Sequence, residues 1–394
     1  MEKIRVLAIG DGDTPTGFAR VLHNIFSRLM NKGTYEIDHL AVNYHGDPHN
    51  WSWKMFPARL KGDLLGYNRI ADFKDTNYDL IFILNDLWVL DTYLKLIKDY
   101  FKNIPKIVVY YPVDSENLDS NWFQNFDIVT KNVAYTQFGW NETYKAIGKK
   151  DTIVIPHGTD TSVFFKYPER IKKQIRQVKF NNNEDLTNSC IFLNANRNQP
   201  RKRIDLTIEG FAEFAKDKPE NVKLYLHMGL KDMGWDILKL STMLGIDRRI
   251  IISNTNKGIQ QVSDQDLASI YNMCDIGINT SIGEGWGLIA TEHAATGALQ
   301  IVPNHSACAE LFNDVGILID APIPERRNNL LVSKLPTIET VAEGFETAYD
   351  LFVNYKEDYN NLVNKGVEKF TSEELSWDKV AEDWDKLFTE VVNV

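Results

Sequence analysis

"CIFLNANRNQPRKRIDLTIEGFAEFAKD", residues 190–217, reads as one strand–loop–helix unit. CIFLNANR (190–197) is a short apolar run suited to a buried parallel strand, and RIDLTIEGFAEFAKD (203–217) carries the apolar spacing of a helix. Between them four cations, Arg197, Arg201, Lys202 and Arg203, crowd into seven residues. In doubly wound sheets ligands sit outside the carboxyl ends of the strands, so this loop lies where an anion would be met. Arginine can fork two oxygens of a diphosphate, and lysine adds a point charge. A plain basic surface loop or a contact to nucleic-acid phosphates is the alternative. In a chain of net charge −10, cations gathered just after a strand suit a discrete anion better.

The same alternation runs along the chain. IRVLAIG (4–10), YDLIFIL (78–84), KIVVYYPVD (106–114), VAYT (133–136) and TIVIPHG (152–158) read as strands of a first half. VKLYLHMG (222–229), RIIISN (249–254), IGINTS (276–281) and LQIVPN (299–304) follow in the second. Between them lie amphipathic stretches; Val21, Ile25 and Leu29 repeat every four residues. The fold class is therefore α/β, with two Rossmann-like, doubly wound parallel-sheet domains, and two such domains would face each other across an interdomain cleft. A length of 394 residues suits two cores. The join is placed between Phe164 and Leu186, giving domains 1–168 and 186–375; within it Ile171, Ile175 and Val178 share one helical face. With 43% hydrophobic and 25% charged residues, no long apolar segment and three widely spaced cysteines, a soluble cytoplasmic protein without disulfides or structural zinc is expected.

Two further loops follow strands. TSIGEGWGLIATEHAATG (280–297) sets Glu284 and Glu292 among glycines, ahead of a helix whose positive end suits an anion. A tight turn with solvated glutamates is the other reading, and spacing alone leaves both open. Glycosidase chemistry is disfavoured, because eight residues of one helix would separate the carboxylates by about 12 Å. GDGDTPTGFARVLHN (10–24) offers Thr16, Gly17 and Phe18 at a helix start, but is neither GxGxxG nor a Walker loop. Asp11-Gly12-Asp13 and Asp264-Gln265-Asp266 have the Asp-x-Asp form of a metal site. The second reads better as a helix cap, and no metal is expected at the first.

Together these segments resemble the retaining GT-B glycosyltransferases of family four. SIGEGWGLIATE looks like that family's E-x7-E motif, NRNQPRKRIDL its Arg-x4-Lys pair, VIPHGTDTSVF its "IPNGVD" segment and LASIYNMCDIGINTS its "L-Y-aD-v-pS" run. SEELSWDKVAEDW resembles the closing segment whose last helix, here about 376–394, crosses back onto the first domain. The resemblance implies that Arg197 and Lys202 hold a donor diphosphate and that Glu284 binds donor-sugar hydroxyls. Gly285, Trp286, Gly287 and Leu288 would assist through backbone, and Glu292 would bind the nucleotide ribose. Thr16, Gly17 and Phe18 would approach the diphosphate from the first, acceptor-side domain. Asp114 stands where family members often carry a histidine, and takes that place as a catalytic candidate. PTGFARV, NRNQPRKR and GEGWGL look most like a subgroup seen in viruses and some microbes.

The implied activity is transfer of a sugar from a nucleotide diphosphate, UDP-sugar favoured and GDP-sugar the alternative, to a glycan or other hydroxyl acceptor, with no cofactor and no metal. Three alternatives stand beside it. A phage-type DNA glycosyltransferase acting on hydroxymethylated bases draws on the cations at 170–179 and 197–203 and on WSWKMFPARLKG (51–62), which also reads as a loop over the acceptor side. A catalytically silent nucleotide-sugar-binding protein would have little reason to keep Arg197, Lys202, Glu284 and Glu292. A nucleotide-sugar epimerase would show a different site pattern.

Overall fold

The computed structural model describes residues 3–60, 62–148, 151–230, 232–253 and 262–393. They form two compact units. The first comprises Met1–Gly158, Asn328–Leu331 and Trp377–Val394, and the second Thr159–Arg327 and Val332–Ser376.

The first unit is built on β1 (Ile4–Asp11), β2 (Tyr35–Val42), β3 (Lys54–Pro57), β4 (Leu80–Leu84), β5 (Lys106–Tyr111), β6 (Lys131–Ala134) and β7 (Ile153–Val154). All pair in parallel, in the order β3-β2-β1-β4-β5-β6-β7. Every side chain of Leu80–Leu84 is buried, as a strand covered on both faces requires. Helix Gly17–Asn31 covers one face through Val21, Ile25 and Leu29, all fully buried. Helix Trp377–Asn393 lies in this unit too, burying Trp384 and Phe388 beside Phe82. Its polar face is tied to the first helix and β2: Arg28 donates to Asp378 at 2.5 Å, Lys32 to Asp385 at 2.9 Å and Tyr35 to Asp385 at 2.6 Å.

The second unit repeats the plan with β8 (Cys190–Asn194), β9 (Val222–Leu226), β10 (Ile250–Ile252), β11 (Ile276–Ile278), β12 (Leu299–Pro303) and β13 (Ile317–Ile319), ordered β10-β9-β8-β11-β12-β13 and all parallel. A hairpin of β14 (Ile323–Arg326) and β15 (Val332–Leu335) stands apart from this sheet. In both sheets the order reverses beside the first strand, between β1 and β4 and between β8 and β11. That reversal opens the crevice where doubly wound folds bind ligands.

Strand edges differ from the sequence expectation in both directions: β1 runs on to Asp11 and β6 starts at Lys131, while others end early. The runs predicted to reach 114, 197 and 281 end at Tyr111, Asn194 and Ile278, because the polar residues after each leave the sheet as loops. Asn254, the last residue of the predicted strand 249–254, lies outside the described residues. β2 was hidden by Glu36, Asp38 and His39, two of which are nonetheless buried. The stretch 51–62 is not simply a loop: Lys54–Pro57 is an edge strand, the position where a proline is tolerated. Helix Glu169–Lys179 forms as its apolar spacing suggests, but Val178 is 79% exposed. Arg176 anchors it instead, donating to Asp275 and to the carbonyls of Met273 and Ser189 at 2.8, 2.8 and 3.0 Å.

Candidate functional site

The loops after β8 and β11 flank the reversal point of the second sheet, and they hold each other. Thr280, just past β11, donates to the carbonyls of Lys202 and Arg203 at 3.1 and 2.8 Å, and its hydroxyl lies 2.7 Å from that of Thr207. Asn194, the last residue of β8, donates to Thr207 at 2.9 Å. Ile282 N–H reaches the Arg201 carbonyl at 3.0 Å. The cationic loop is thus docked onto the strand end that carries the glutamate.

At their junction Lys202 forms a buried ion pair with Glu284; the two are 8% and 4% exposed. Asn279 donates to the same carboxylate oxygen at 3.1 Å, and Arg201 approaches the other at 3.5 Å. Burial alone would raise the Glu284 pKa, but Lys202 and Arg201, with hydrogen bonds from Lys202 and Asn279, outweigh it and hold it at about 2. The reading of Glu284 and Glu292 as solvated surface carboxylates is therefore overturned, since both are 4% exposed. Glu292 sits within helix Leu288–Ala295 and accepts from the Tyr271 hydroxyl at 3.4 Å, while His293 stacks on Tyr271 with centroids 5.2 Å apart.

Of the three glycines around Glu284, only Gly287 has a positive φ, +94°, where it caps the helix that Leu288 begins. Trp286 is buried, and Gly285 is part-buried. The second left-handed residue here is Ser306, at φ +51°, just after β12. Its hydroxyl accepts from Glu284 N–H at 3.1 Å, and Ala307 N–H donates to the Glu284 carbonyl at 3.3 Å. Both backbone groups of Glu284 are pinned by this corner. Sequence reading missed Ser306, although the habit of inspecting each loop after a strand points to it.

Arg197 is also near the end of β8, but its guanidinium forks onto Asp232 at 2.9 and 3.1 Å rather than joining the Lys202–Glu284 pair. Nothing in the spacing announced Asp232. Asp264 and Asp266 lie in the first turn of helix Asp264–Asn272, and the cap is Ser263, one residue earlier than expected.

The first unit gathers Thr16, Gly17 and Phe18 at the end of β1. Thr16 caps helix Gly17–Asn31 by accepting from Ala19 N–H at 3.1 Å, and it donates to Asp11 at 2.5 Å. Asn43 donates to the other Asp11 oxygen at 3.0 Å. Burial raises the Asp11 pKa, and these two hydrogen bonds oppose it. Asp13 faces elsewhere, accepting from the Trp51 indole at 3.2 Å. Asp114 follows β5 and accepts from Ser115 at 2.9 Å. Among the described residues no group of three or more His, Cys, Asp or Glu side chains is arranged to hold a metal ion.

Residues 172–331, which contain the Lys202–Glu284 site, match the family Glycosyl transferases group 1. This segment resembles a glycosyltransferase domain. Over 164 residues, 40% of its length, the chain is 27% identical to mannosylfructose-phosphate synthase of Agrobacterium fabrum, and the match spans 33% of that protein's length. Sucrose-phosphate synthase from Thermosynechococcus elongatus superposes with a TM-score of 0.75 at 15% identity, covering 99% of this chain and 100% of that one. Anabaena HepE, solved in complex with UDP and glucose, superposes with a TM-score of 0.71 at 15% identity over 98% and 100%. The structural likenesses span nearly the whole chain and show its fold, which is GT-B. No helix among the described residues is long and apolar enough to cross a membrane.

Proposed function

We propose that the chain is a retaining, metal-independent glycosyltransferase that moves a sugar from a nucleotide diphosphate to a glycan or other hydroxyl acceptor. The observation that carries this reading is the buried Lys202–Glu284 pair at the sheet reversal of the glycosyltransferase domain. A buried pair is held by mutual compensation, and an entering ligand has to satisfy both members at once. A nucleotide sugar does so, since its diphosphate suits Lys202 and its sugar hydroxyls donate to Glu284. Arg197 adds a second cation for the diphosphate, and Glu292 accepts from the ribose hydroxyls.

In the transfer, the bond between the anomeric carbon and the diphosphate oxygen breaks, and the electron pair leaves with the nucleotide. Lys202 and Arg197 stabilise that charge. The acceptor oxygen bonds to the anomeric carbon from the same face, and its proton passes to the departing phosphate, so configuration is retained without a protein nucleophile. The lysine and arginine supply the charge a metal would otherwise bring. A UDP-sugar is the favoured donor, supported by the HepE complex with UDP and glucose, and a GDP-sugar is the alternative.

The test is nucleotide release from a panel of UDP-, GDP-, ADP- and dTDP-sugars with and without EDTA. Release from one class, unchanged by EDTA and lowered by orders of magnitude in Glu284→Ala, is expected. Metal-dependent turnover would overturn the metal-free part, and no turnover of any donor would overturn the whole.

A further inference from the structure

In the aromatic stretch Trp51–Trp53 of the first unit, Trp53 joins the core and Trp51 belongs neither to it nor to the donor site. Trp53 is 4% exposed and packs edge-on against Phe26, with centroids 5.6 Å apart. Trp51 is only part-buried. Its ring lies 4.1 Å from His23 and 5.1 Å from Trp53, at interplanar angles of 34° and 28°. His23 and Trp53 are themselves 5.8 Å apart, so the three centroids form a triangle, not a line. His23 and Trp53 therefore do not sandwich the indole, and they leave one of its faces uncovered.

The surroundings of that face are specific. The indole N–H is held by Asp13, an exposed carboxylate in the loop after β1. This loop packs on the segment after β2: a side chain on Gly12 would meet Tyr44 Cβ at 2.7 Å. Tyr44 in turn meets His49 edge-on at 5.9 Å and donates to the Asp47 carbonyl at 2.5 Å. Asp13 and the Tyr44–His49 segment thus follow the carboxyl ends of β1 and β2, the ligand-binding side of such folds, and the Trp51 indole reaches them through Asp13. Three of its buried ring nitrogens, His23 Nε2, Trp53 Nε1 and His49 Nδ1, have no hydrogen-bond partner among the described residues.

We propose that the part-exposed indole of Trp51, on the side that His23 and Trp53 do not cover, is a stacking platform for a saccharide ring of the acceptor, with Asp13 receiving hydrogen bonds from its hydroxyls. This rests on the reading of the chain as a glycosyltransferase and names the class of its acceptor. A pyranose presents a C–H face to an aromatic ring and hydroxyls at its rim, which matches an indole flanked by a carboxylate. A nucleic-acid strand also stacks on aromatics, but brings phosphates that need cations. The neighbouring cation, Lys54, is already 3.9 Å from both Glu36 and Asp38, and Asp13 repels phosphate. Burial holds His23 neutral, with a pKa of about 4, so it adds no positive charge.

The test is a glycan array probed with the wild-type chain, Trp51→Ala and Trp51→Phe, followed by titration of the best-bound glycan. Wild type should bind a defined set of glycans. Trp51→Ala should weaken binding about tenfold or more, and Trp51→Phe, which keeps a ring against His23, by only a few-fold. Thermal melts of both variants check folding, and Trp51→Phe carries the test if Trp51→Ala is unfolded. A blank array, an array profile and affinity untouched by either variant, or Trp51-dependent binding of an oligothymidylate in place of glycans would overturn the proposal. Nucleotide release from UDP-glucose by the wild type without acceptor reads the donor side separately. Release with a blank array rejects the platform alone; absence of release from any donor rejects the enzymatic reading.

Discussion

Each unit sets a carboxylate beside its sheet reversal, yet the two are satisfied in opposite ways. In the first, Asp11 ends the strand beside the reversal point and is held by neutral donors, Thr16 and Asn43. In the second, Glu284 follows the strand across the reversal point and is held by a buried ammonium, with a guanidinium close by. Neutral donors leave a buried carboxylate with a raised pKa, whereas cations pull it down to about 2. The same architecture therefore holds one carboxylate with neutral donors and the other with cations. Function follows from the loop chemistry, not from the sheet.

The largest effect that sharpens this contrast is catalytic. Glu284→Ala should lower the rate of nucleotide release by about 10²–10³-fold, the scale of removing one preorganised polar group at a reacting centre. Steady-state kinetics with the preferred donor measure it, and a loss under tenfold would place Glu284 outside the chemistry.

Next comes stability. Lys202→Met strands a buried carboxylate and should cost about 3–5 kcal/mol in urea unfolding, while Lys202→Met with Glu284→Gln should recover much of it. Asp11→Asn, which leaves no unpaired cation behind, should cost no more than about 1 kcal/mol. Equal losses at the two sites would erase the distinction between them.

Ser306 gives a finer test, because its strain and its hydrogen bond can be separated. Ser306→Gly and Ser306→Ala both lose the hydroxyl that holds Glu284 N–H, and both should lower kcat about tenfold with a smaller change in KM. Glycine relieves the φ of +51°, so Ser306→Gly should melt higher than Ser306→Ala. Ser306→Thr keeps the hydroxyl and should keep more activity than either. Activity that follows melting temperature through the series would reduce Ser306 to a packing residue.

A pH effect is shared by both units and should not distinguish them. Burial holds His23 and His227 at pKa values of about 4, and His39, His157 and His293 at about 3, against 6.5 when exposed. Each is neutral in the fold and takes up a proton on unfolding below pH 6.5. Their contribution is complete above 6.5 and is lost as pH falls toward 3–4. Glu284 adds to this loss only below about 4.5, where its unfolded form protonates. Melting temperature followed from pH 7 to pH 4 should fall steadily, and a flat profile would contradict the burial of these rings.

The sequence made the sheets legible, since runs such as LIFIL are unambiguous when every residue is buried. It made Lys202 and Glu284 legible because both follow such runs. It did not show β2, whose Asp38 and His39 break the apolar pattern although the fold buries both. Nor did it show that Asp232 holds Arg197 or that Ser306 holds Glu284, because those partners meet only through tertiary packing. Trp51 and Trp53 were visible as an aromatic stretch, but their one-sided stacking on His23 depends on how two loops meet.

The central claim is that the Lys202–Glu284 pair receives a nucleotide sugar, and calorimetric titration of UDP-glucose and GDP-mannose into wild type, Lys202→Ala and Glu284→Ala tests it most directly. One donor should bind the wild type and bind Lys202→Ala at least about tenfold more weakly, with free UDP or GDP following the same order and much less affected by Glu284→Ala, since the nucleotide lacks the sugar. Donor binding of equal strength in all three proteins would contradict it.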